Sequence, residues 1–312
     1  MKNQKKLFLL AFILVFAFIS LIGCAKAEEK EPFITFTDSV GKEVTLYNQP
    51  ENVAVLFSSF ADMWSLAGGK VSVTVGESVE RGICEPSVLL VDKGAGKSIN
   101  LDLLVSYKPD LVICSADIAA QSSLSDILEA ADIPCANFRV ESFADYLSVL
   151  DTMTDITGNK EAYQLHGTSL KESIDALISC VTQENKRSML FIRAGTTAKA
   201  TKAKRAEDHF AAKMLEELGV YNIADNAEVL LDGLSIEEIL RADPDYIFIT
   251  TMGNEELSKA YMDSLLSDTV WQSLDAVKNK NCYYLPKELF QFKPNGRWYE
   301  AYHALWEILY EK

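Results

Sequence analysis

The sequence predicts an α/β protein of two similar lobes, each a mainly parallel sheet covered by helices, with one long helix bridging them. Three observations predict it. A cassette of short helix, Pro-Asp turn and buried strand occurs twice, 135 residues apart. One copy reads Asn100-Leu101-Asp102-Leu103-Leu104, then Lys108-Pro109-Asp110-Leu111-Val112-Ile113; the other reads Ser235-Ile236-Glu237-Glu238-Ile239-Leu240, then Asp243-Pro244-Asp245-Tyr246-Ile247-Phe248. On both sides of the middle, short apolar runs alternate with helical patterns, the order that builds parallel sheets. Between them, Ser142 to Val181 keep helical periodicity with no strand signal.

The elements follow in order. Phe33 to Thr37 and Val44 to Leu46 alternate as a hairpin turned by Asp38 to Gly41, and Pro50 stops it. Val53 to Phe57 reads as the first buried strand, followed by a helix from Ala61 to Leu66 closed by Gly68-Gly69. Val71 to Gly76 and 111–115 are strands, and a helix near 122–131 leads through Ile133-Pro134 into another short strand. The helical stretch breaks once, at Gly158-Asn159; its second part, Lys160 to Val181, spans about 33 Å at about 1.5 Å per residue. A second series then begins: strand Ser188 to Ile192, helix His209 to Leu218, the repeated cassette with strand Tyr246 to Thr250, and helices near 255–277. Strand Cys282 to Leu285 and a final helix Trp298 to Tyr310 complete it. The boundaries expected are 1–24, a first lobe 25–158, the bridge 159–184 and a second lobe 185–312.

The ends and totals bound the setting. Lys2, Lys5 and Lys6 precede an apolar run from Leu7 to Leu21, too short to span a bilayer comfortably, and then Leu21-Ile22-Gly23-Cys24. That ending resembles the bacterial lipoprotein signal, which implies that Cys24 becomes the first mature residue, carries a diacylglycerol thioether and anchors the chain on the extracytoplasmic face of the cell membrane. Beyond residue 24, 27 basic residues face 45 acidic ones, a net charge of −18 over 288 residues. Such a balance disfavours nucleic acid as a partner. Five cysteines remain, Cys84, Cys114, Cys135, Cys180 and Cys282, with neither disulfide-framework nor zinc spacing; mostly buried free thiols are expected, with room for one bridging pair.

Four features are specific in combination: the lipid signal, the opening Thr37-Asp38-Ser39-Val40-Gly41-Lys42-Glu43-Val44, the twin cassettes, and Leu218-Gly219-Val220-Tyr221-Asn222-Ile223-Ala224-Asp225 after a bridging helix. With them the chain resembles, over residues 33–312, the substrate-binding lipoproteins of ABC importers for ferric siderophores, haem and cobalamin. The resemblance implies ligand held between two lobes with modest closure, and one carboxylate on each lobe docking onto arginines of the permease, which works with its ATPase. The matching positions are Asp102 and Glu237, Asp102 being one methylene shorter than the family's usual glutamate. An acid in the first turn behind an N-cap, Asn100 or Ser235, is also favoured by the helix dipole, and Ser235-Ile236-Glu237-Glu238 spells a capping box.

Ligands of open parallel sheets bind beyond the carboxyl ends of the strands. In the first lobe this selects Phe57, Ser58 and Ser59 with Trp64, and Arg81 after the second strand. In the second lobe the stretch after Ile192 holds Arg193, Lys199, Lys202, Lys204 and Arg205 with no acid before Glu207, a local reversal of sign in an acidic protein. Arg193, nearest the strand, is the candidate, while the outer lysines suit a solvated loop. The loop Lys287 to Trp298 adds Phe290, Phe292 and Arg297 toward the cleft, with Trp298, Tyr302, Leu305 and Leu309 at helical spacing as core. An electropositive mouth suits an anion, such as a ferric siderophore or similar chelate, or the propionates of haem. His166, His209 and His303 are too scattered for a metal cluster, and His209 reads as a helix-start residue or, alternatively, a haem ligand.

The rivals are weaker. Gly94-Ala95-Gly96-Lys97-Ser98 imitates a phosphate loop but has Val91 where the first glycine belongs, and no Gly-x-Ser-x-Gly elbow accompanies the three histidines. The expectation is a non-enzymatic receptor without resident cofactor or metal, for a ferric siderophore or related chelate. Haem or cobalamin in the same family, or a non-transport scaffold, are the alternatives.

Overall fold

The computed structural model describes residues 30–181 and 187–311. The signal stretch with Cys24, and the expected boundary at 184/185, lie outside the described residues. No described helix is long and apolar enough to cross a membrane.

A hairpin opens the first lobe, β1 (Ile34–Thr37) antiparallel to β2 (Glu43–Leu46). Its turn is tied down by Asp38, whose carboxylate accepts the N–H groups of Val40, Lys42 and, across the lobe, Asn137, at 3.0, 2.8 and 3.0 Å. The sheet behind it holds β3 (Val53–Val55), β4 (Val71–Val75), β5 (Leu89–Asp92), β6 (Leu111–Ser115) and β7 (Cys135–Phe138) in the order β5-β4-β3-β6-β7, all parallel. Helix α1 (Ser58–Leu66) starts three residues before the expected Ala61, with Phe57 in extended conformation as its N-cap, so the two serines belong to its first turn. Strand β5 was not legible in the sequence because it is an edge strand with one fully buried residue, Val91. Helix α2 (Gly76–Glu80) follows β4, and α3 (Leu101–Ser106) connects β5 to β6. The expected helix near 122–131 is two short turns, Ala119–Ser122 and Ser125–Glu129.

Helix α4 (Phe143–Thr157) ends at Gly158, whose φ of +74° lets the chain reverse direction. The bridging helix α5 runs from Lys160 to Ser179, interrupted by one π-helical turn at Gln164–Thr168. At about 1.5 Å per residue it is about 30 Å long. The π turn is seated on the first lobe by Tyr146, whose hydroxyl donates to the His166 carbonyl at 2.9 Å.

In the second lobe, β8 (Ser188–Ala194), β10 (Tyr221–Asn222), β11 (Tyr246–Thr251) and β12 (Cys282–Tyr284) form a parallel sheet in the order β10-β8-β11-β12. The two-residue strand β9 (Lys202–Ala203) folds back antiparallel on the end of β8. Helices α6 (Phe210–Glu217), α7 (Ile236–Ala242), α8 (Glu255–Leu266), α9 (Lys287–Phe290) and α10 (Trp298–Tyr310) cover it.

The Pro-Asp turns do the same work in both lobes. Lys108 and Asp243, preceding the prolines, take positive φ of 48° and 39°. The next acid then reaches the start of the neighbouring strand: Asp110 accepts Glu51 and Asn52 N–H at 3.0 and 2.9 Å, and Asp245 accepts Ser188 N–H and hydroxyl at 2.7 and 2.9 Å. Each carboxylate therefore fixes the register of the central strand. Replacing Asp110 or Asp245 by alanine is expected to cost ~1–2 kcal/mol each, measured by urea unfolding, because charge-assisted bonds are lost at a partly solvated site.

One hydrophobic cluster joins the lobes. It runs from Val55, Phe60 and Phe138 through Tyr146, Met153 and Trp298 to Phe191, Phe210 and Phe248. A shared core of this kind resists large hinge motion. All five described cysteines are free; Cys114 and Cys135 are buried with their sulfurs 3.6 Å apart on neighbouring strands, whereas Cys180 is exposed.

Candidate ligand cleft

Residues that follow the carboxyl ends of first-lobe strands meet the second lobe, Ser59 after β3 through Asn295 and Glu141 after β7 through Lys293, and the second lobe supplies a strip whose polarity changes along its length. Met189, Phe191 and Arg193 on β8 share a face, in register with Tyr246, Phe248 and Thr250 on β11. The apolar members enter the shared core. The strip ends in Arg193 and Thr250 where the strands reach the cleft, and neither Arg193 Nε nor Thr250 Oγ1 has a hydrogen-bond partner among the described residues. Strand β9 brings Lys202 into register with Arg193, so the run of cations expected as a loop is a hairpin that concentrates charge.

Lys204 and Lys293 complete this face around His209. The histidine packs against Phe191, tilted, and Phe210, stacked, at centroid distances of 4.8 and 5.0 Å, and its Nδ1 caps α6 by accepting the Ala211 N–H at 3.2 Å. Burial, then Lys293, Arg193 and Lys204, hold its pKa well below the ordinary imidazole value. It is a neutral helix cap, its Nδ1 lone pair taken up by the Ala211 N–H. Burial, followed by Arg193, also lowers the pKa of Lys204. Lys293 lies over the Phe210 ring at 4.9 Å and bonds Glu141 of the first lobe at 2.9 Å.

The first lobe answers with a single held cation. Ser58 and Ser59 are fully buried and do not present themselves to a ligand; their hydroxyls accept from Arg81 Nη1 at 2.8 and 3.1 Å, and Ser58 donates in turn to Glu77. Arg81 lies 4.0 Å from the Phe292 ring centroid, and Lys287 lies 5.0 Å from the same ring. Burial lowers the Arg81 pKa while Asp62, Glu77 and Glu288 oppose the shift. Phe57, half-buried, packs edge-on against Phe60 at 5.2 Å. Buried Asn295 ties the walls together, its amide donating to the Ser59 carbonyl and to Asp62, each at 2.8 Å.

Three further expected contacts are corrected. Trp64 is 2 % exposed and lies at the far end of α1, where its Nε1 donates to the Lys70 carbonyl at 3.1 Å; two helical turns beyond Phe57 carry it away from the cleft into core. Phe290, the last residue of the one-turn helix α9, is fully buried in the shared core. Arg297 is exposed and paired bidentately with Glu300 at 2.7 Å on the first turn of α10. Residues that sequence reasoning missed are Glu77, Glu141, Thr250, Lys293 and Asn295. Of these, Lys293 and Asn295 fall inside the loop that was singled out, and Glu141 carried no signal.

Asp102 and Glu237 are exposed, each the second residue of its helix, and neither has an ion-pair partner among the described residues. Asn100 caps α3 by accepting the Leu103 N–H at 3.0 Å. The capping box at Ser235 is not formed: its side chain makes no cap bond, and Glu238 pairs with Arg241 instead. The phosphate-loop imitation is filled from within, because Asp92 takes the Gly94 and Gly96 N–H groups at 3.0 and 2.7 Å.

The family described as "Periplasmic binding protein" matches residues 53–289. The chain belongs to the periplasmic binding protein family. Among its relatives, the uncharacterized ABC transporter substrate-binding lipoprotein YvrC of Bacillus subtilis is 23% identical, covering 95% of this chain and 95% of its own. The Fe(3+)-citrate-binding protein YfmC of the same organism is 22% identical over 90% of this chain and 89% of its own. Among solved structures, Staphylococcus aureus SirA complexed with staphyloferrin B aligns with a TM-score of 0.66 at 18% identity, covering 89% of this periplasmic binding protein and 97% of SirA.

Proposed function

We propose that this periplasmic binding protein is the lipid-anchored receptor of an ABC importer, held at the extracytoplasmic membrane face through Cys24, and that it captures an anionic ferric chelate. The observation that carries the ligand class is the gathering of Arg193, Lys204 and Lys293 around His209 in the second lobe, with Arg81 of the first lobe seated over Phe292, the neighbour of Lys293 in sequence, in a protein of net charge −15 overall. Half-buried cations so arranged recognise a compact polyanion through charge-assisted bonds, and Phe57 and Phe292 offer faces for a flat or catecholate group. The names of YfmC and SirA agree with that chemistry. Asp102 and Glu237 are the proposed docking carboxylates for the permease.

Binding is tested by tryptophan quenching of the chain from Ala25, against ferric citrate, catecholate and hydroxamate chelates, haem and cobalamin. Trp298 is a suitable reporter, with ring centroids 5.6 Å from both Phe143 and Phe210 at the lobe junction. Saturable submicromolar quenching by an anionic chelate is the expected result, and preference for uncharged cobalamin would reject the ligand class. Arg193→Ala is expected to weaken the anionic chelate about 10- to 100-fold, the effect of losing charge-assisted bonds. An unchanged affinity would remove Arg193 from the binding site.

A further inference from the structure

Glu141 is out of place by charge. It leaves the first lobe just after β7, where its N–H is fixed by the Asp145 carboxylate at 3.0 Å, and its side chain enters the cationic face of the second lobe. Its bond to Lys293 is the one ion pair between the lobes among the described residues. Lys293 is not a loose surface partner: its side chain is 14% exposed and pinned over Phe210. Glu141 also acts on Lys204, where it opposes the lowering caused by burial and by Arg193. A groove of about 600 Å³ runs beside the pair, lined by Glu141, Ser142 and Asp145 from one lobe and Arg205, Glu207 and Asp225 from the other, so solvent and solute reach it.

A carboxylate among these cations is chemically what a chelate's own carboxylate or catecholate oxygen would be. We infer that Glu141 sets the charge selectivity of the cleft: it holds the place of a ligand anion against Lys293 and Lys204, and a ligand binds by taking those cations from it. This rests on the reading of the cleft as an anion receptor. The exchange breaks one half-buried pair and leaves Glu141 to solvent in the groove, a cost that is offset only when the ligand brings more negative charge than the single carboxylate it displaces. A multiply charged chelate gains by the exchange, and a neutral one of similar size does not.

The test compares wild type, Glu141→Gln and Glu141→Asp by tryptophan quenching with ferric citrate and with an uncharged ferric trihydroxamate chelate. Glu141→Gln is expected to bind ferric citrate about tenfold more tightly, a typical worth of one charge pair at an interface, with the neutral chelate within about twofold. Glu141→Asp keeps the charge and is expected to stay near wild type. Wild-type binding of ferric citrate that is unchanged or weakened in Glu141→Gln overturns the inference alone, and a thermal melt shifted by many degrees would mark Glu141 as a structural bridge, which also overturns it. Binding by Glu141→Gln where wild type binds nothing supports it. If neither variant nor wild type binds any anionic chelate, the inference falls together with the reading of the cleft.

Discussion

Changing Asp102 and Glu237 together to lysine is expected to abolish uptake of the bound chelate while its affinity for the receptor stays within about twofold. In a parallel sheet a connecting helix runs opposite to its strands, so its first turn lies at the carboxyl edge where the ligand enters. Helix α3 leads into β6 and α7 into β11, which mounts both carboxylates on that edge, one on each lobe. Both are exposed and without an ion-pair partner among the described residues, which suits a group proposed to meet an external arginine. A like charge placed against an arginine costs several kcal/mol at an interface. Two such reversals act on one docking event, and uptake into vesicles carrying the permease should fall to background. Single reversals should each reduce it strongly. If chelate affinity fell in step with uptake, these acids would belong to the ligand site and the docking assignment would be wrong.

Truncating Trp298 to alanine is expected to cost ~3–5 kcal/mol, the usual loss for a fully buried aromatic. The side chain is inaccessible to solvent and packs against Phe143 and Tyr146 of the first lobe and Phe210 and Tyr302 of the second, at centroid distances of 5.6, 5.9, 5.6 and 6.4 Å. It is therefore the central fastener of the shared core. At a few degrees per kcal/mol for a chain of this size, the melting temperature should fall by roughly 10 °C. Trp298→Phe keeps most of the packing and removes an indole N–H that has no partner among the described residues, so it should cost much less. Calorimetry measures both, and a Trp298→Ala melt near wild type would show that the lobes are held by something other than this cluster.

The regular elements were legible because their signals are local. Alternation gave the β1–β2 hairpin, apolar runs gave β6, β8 and β11, and Gly158-Asn159 marked the break before α5. Three short strands were not: β5 buries one residue fully, and β9 and β10 are two residues each, so no apolar pattern announces them. Within the candidate cleft, the rule of strand ends found Arg81 and Arg193 but misjudged direction. Phe290 and Phe292 are two residues apart, yet one is core and the other carries two cations on its ring. Ser58 and Ser59 sit at the expected place with a different task, positioning Arg81.

By itself the sequence determined the α/β class, the bridging helix and the repeated cassette. Backbone hydrogen bonding and burial act over a few residues, and their periods are written along the chain. Only the tertiary structure decided which polar groups meet. Glu141 and Lys293 are 152 residues apart, and Asn295 and Ser59 are 236 apart. Nothing in either neighbourhood encodes such a partner, because the meeting depends on how two whole sheets are set against each other by the core that contains Trp298.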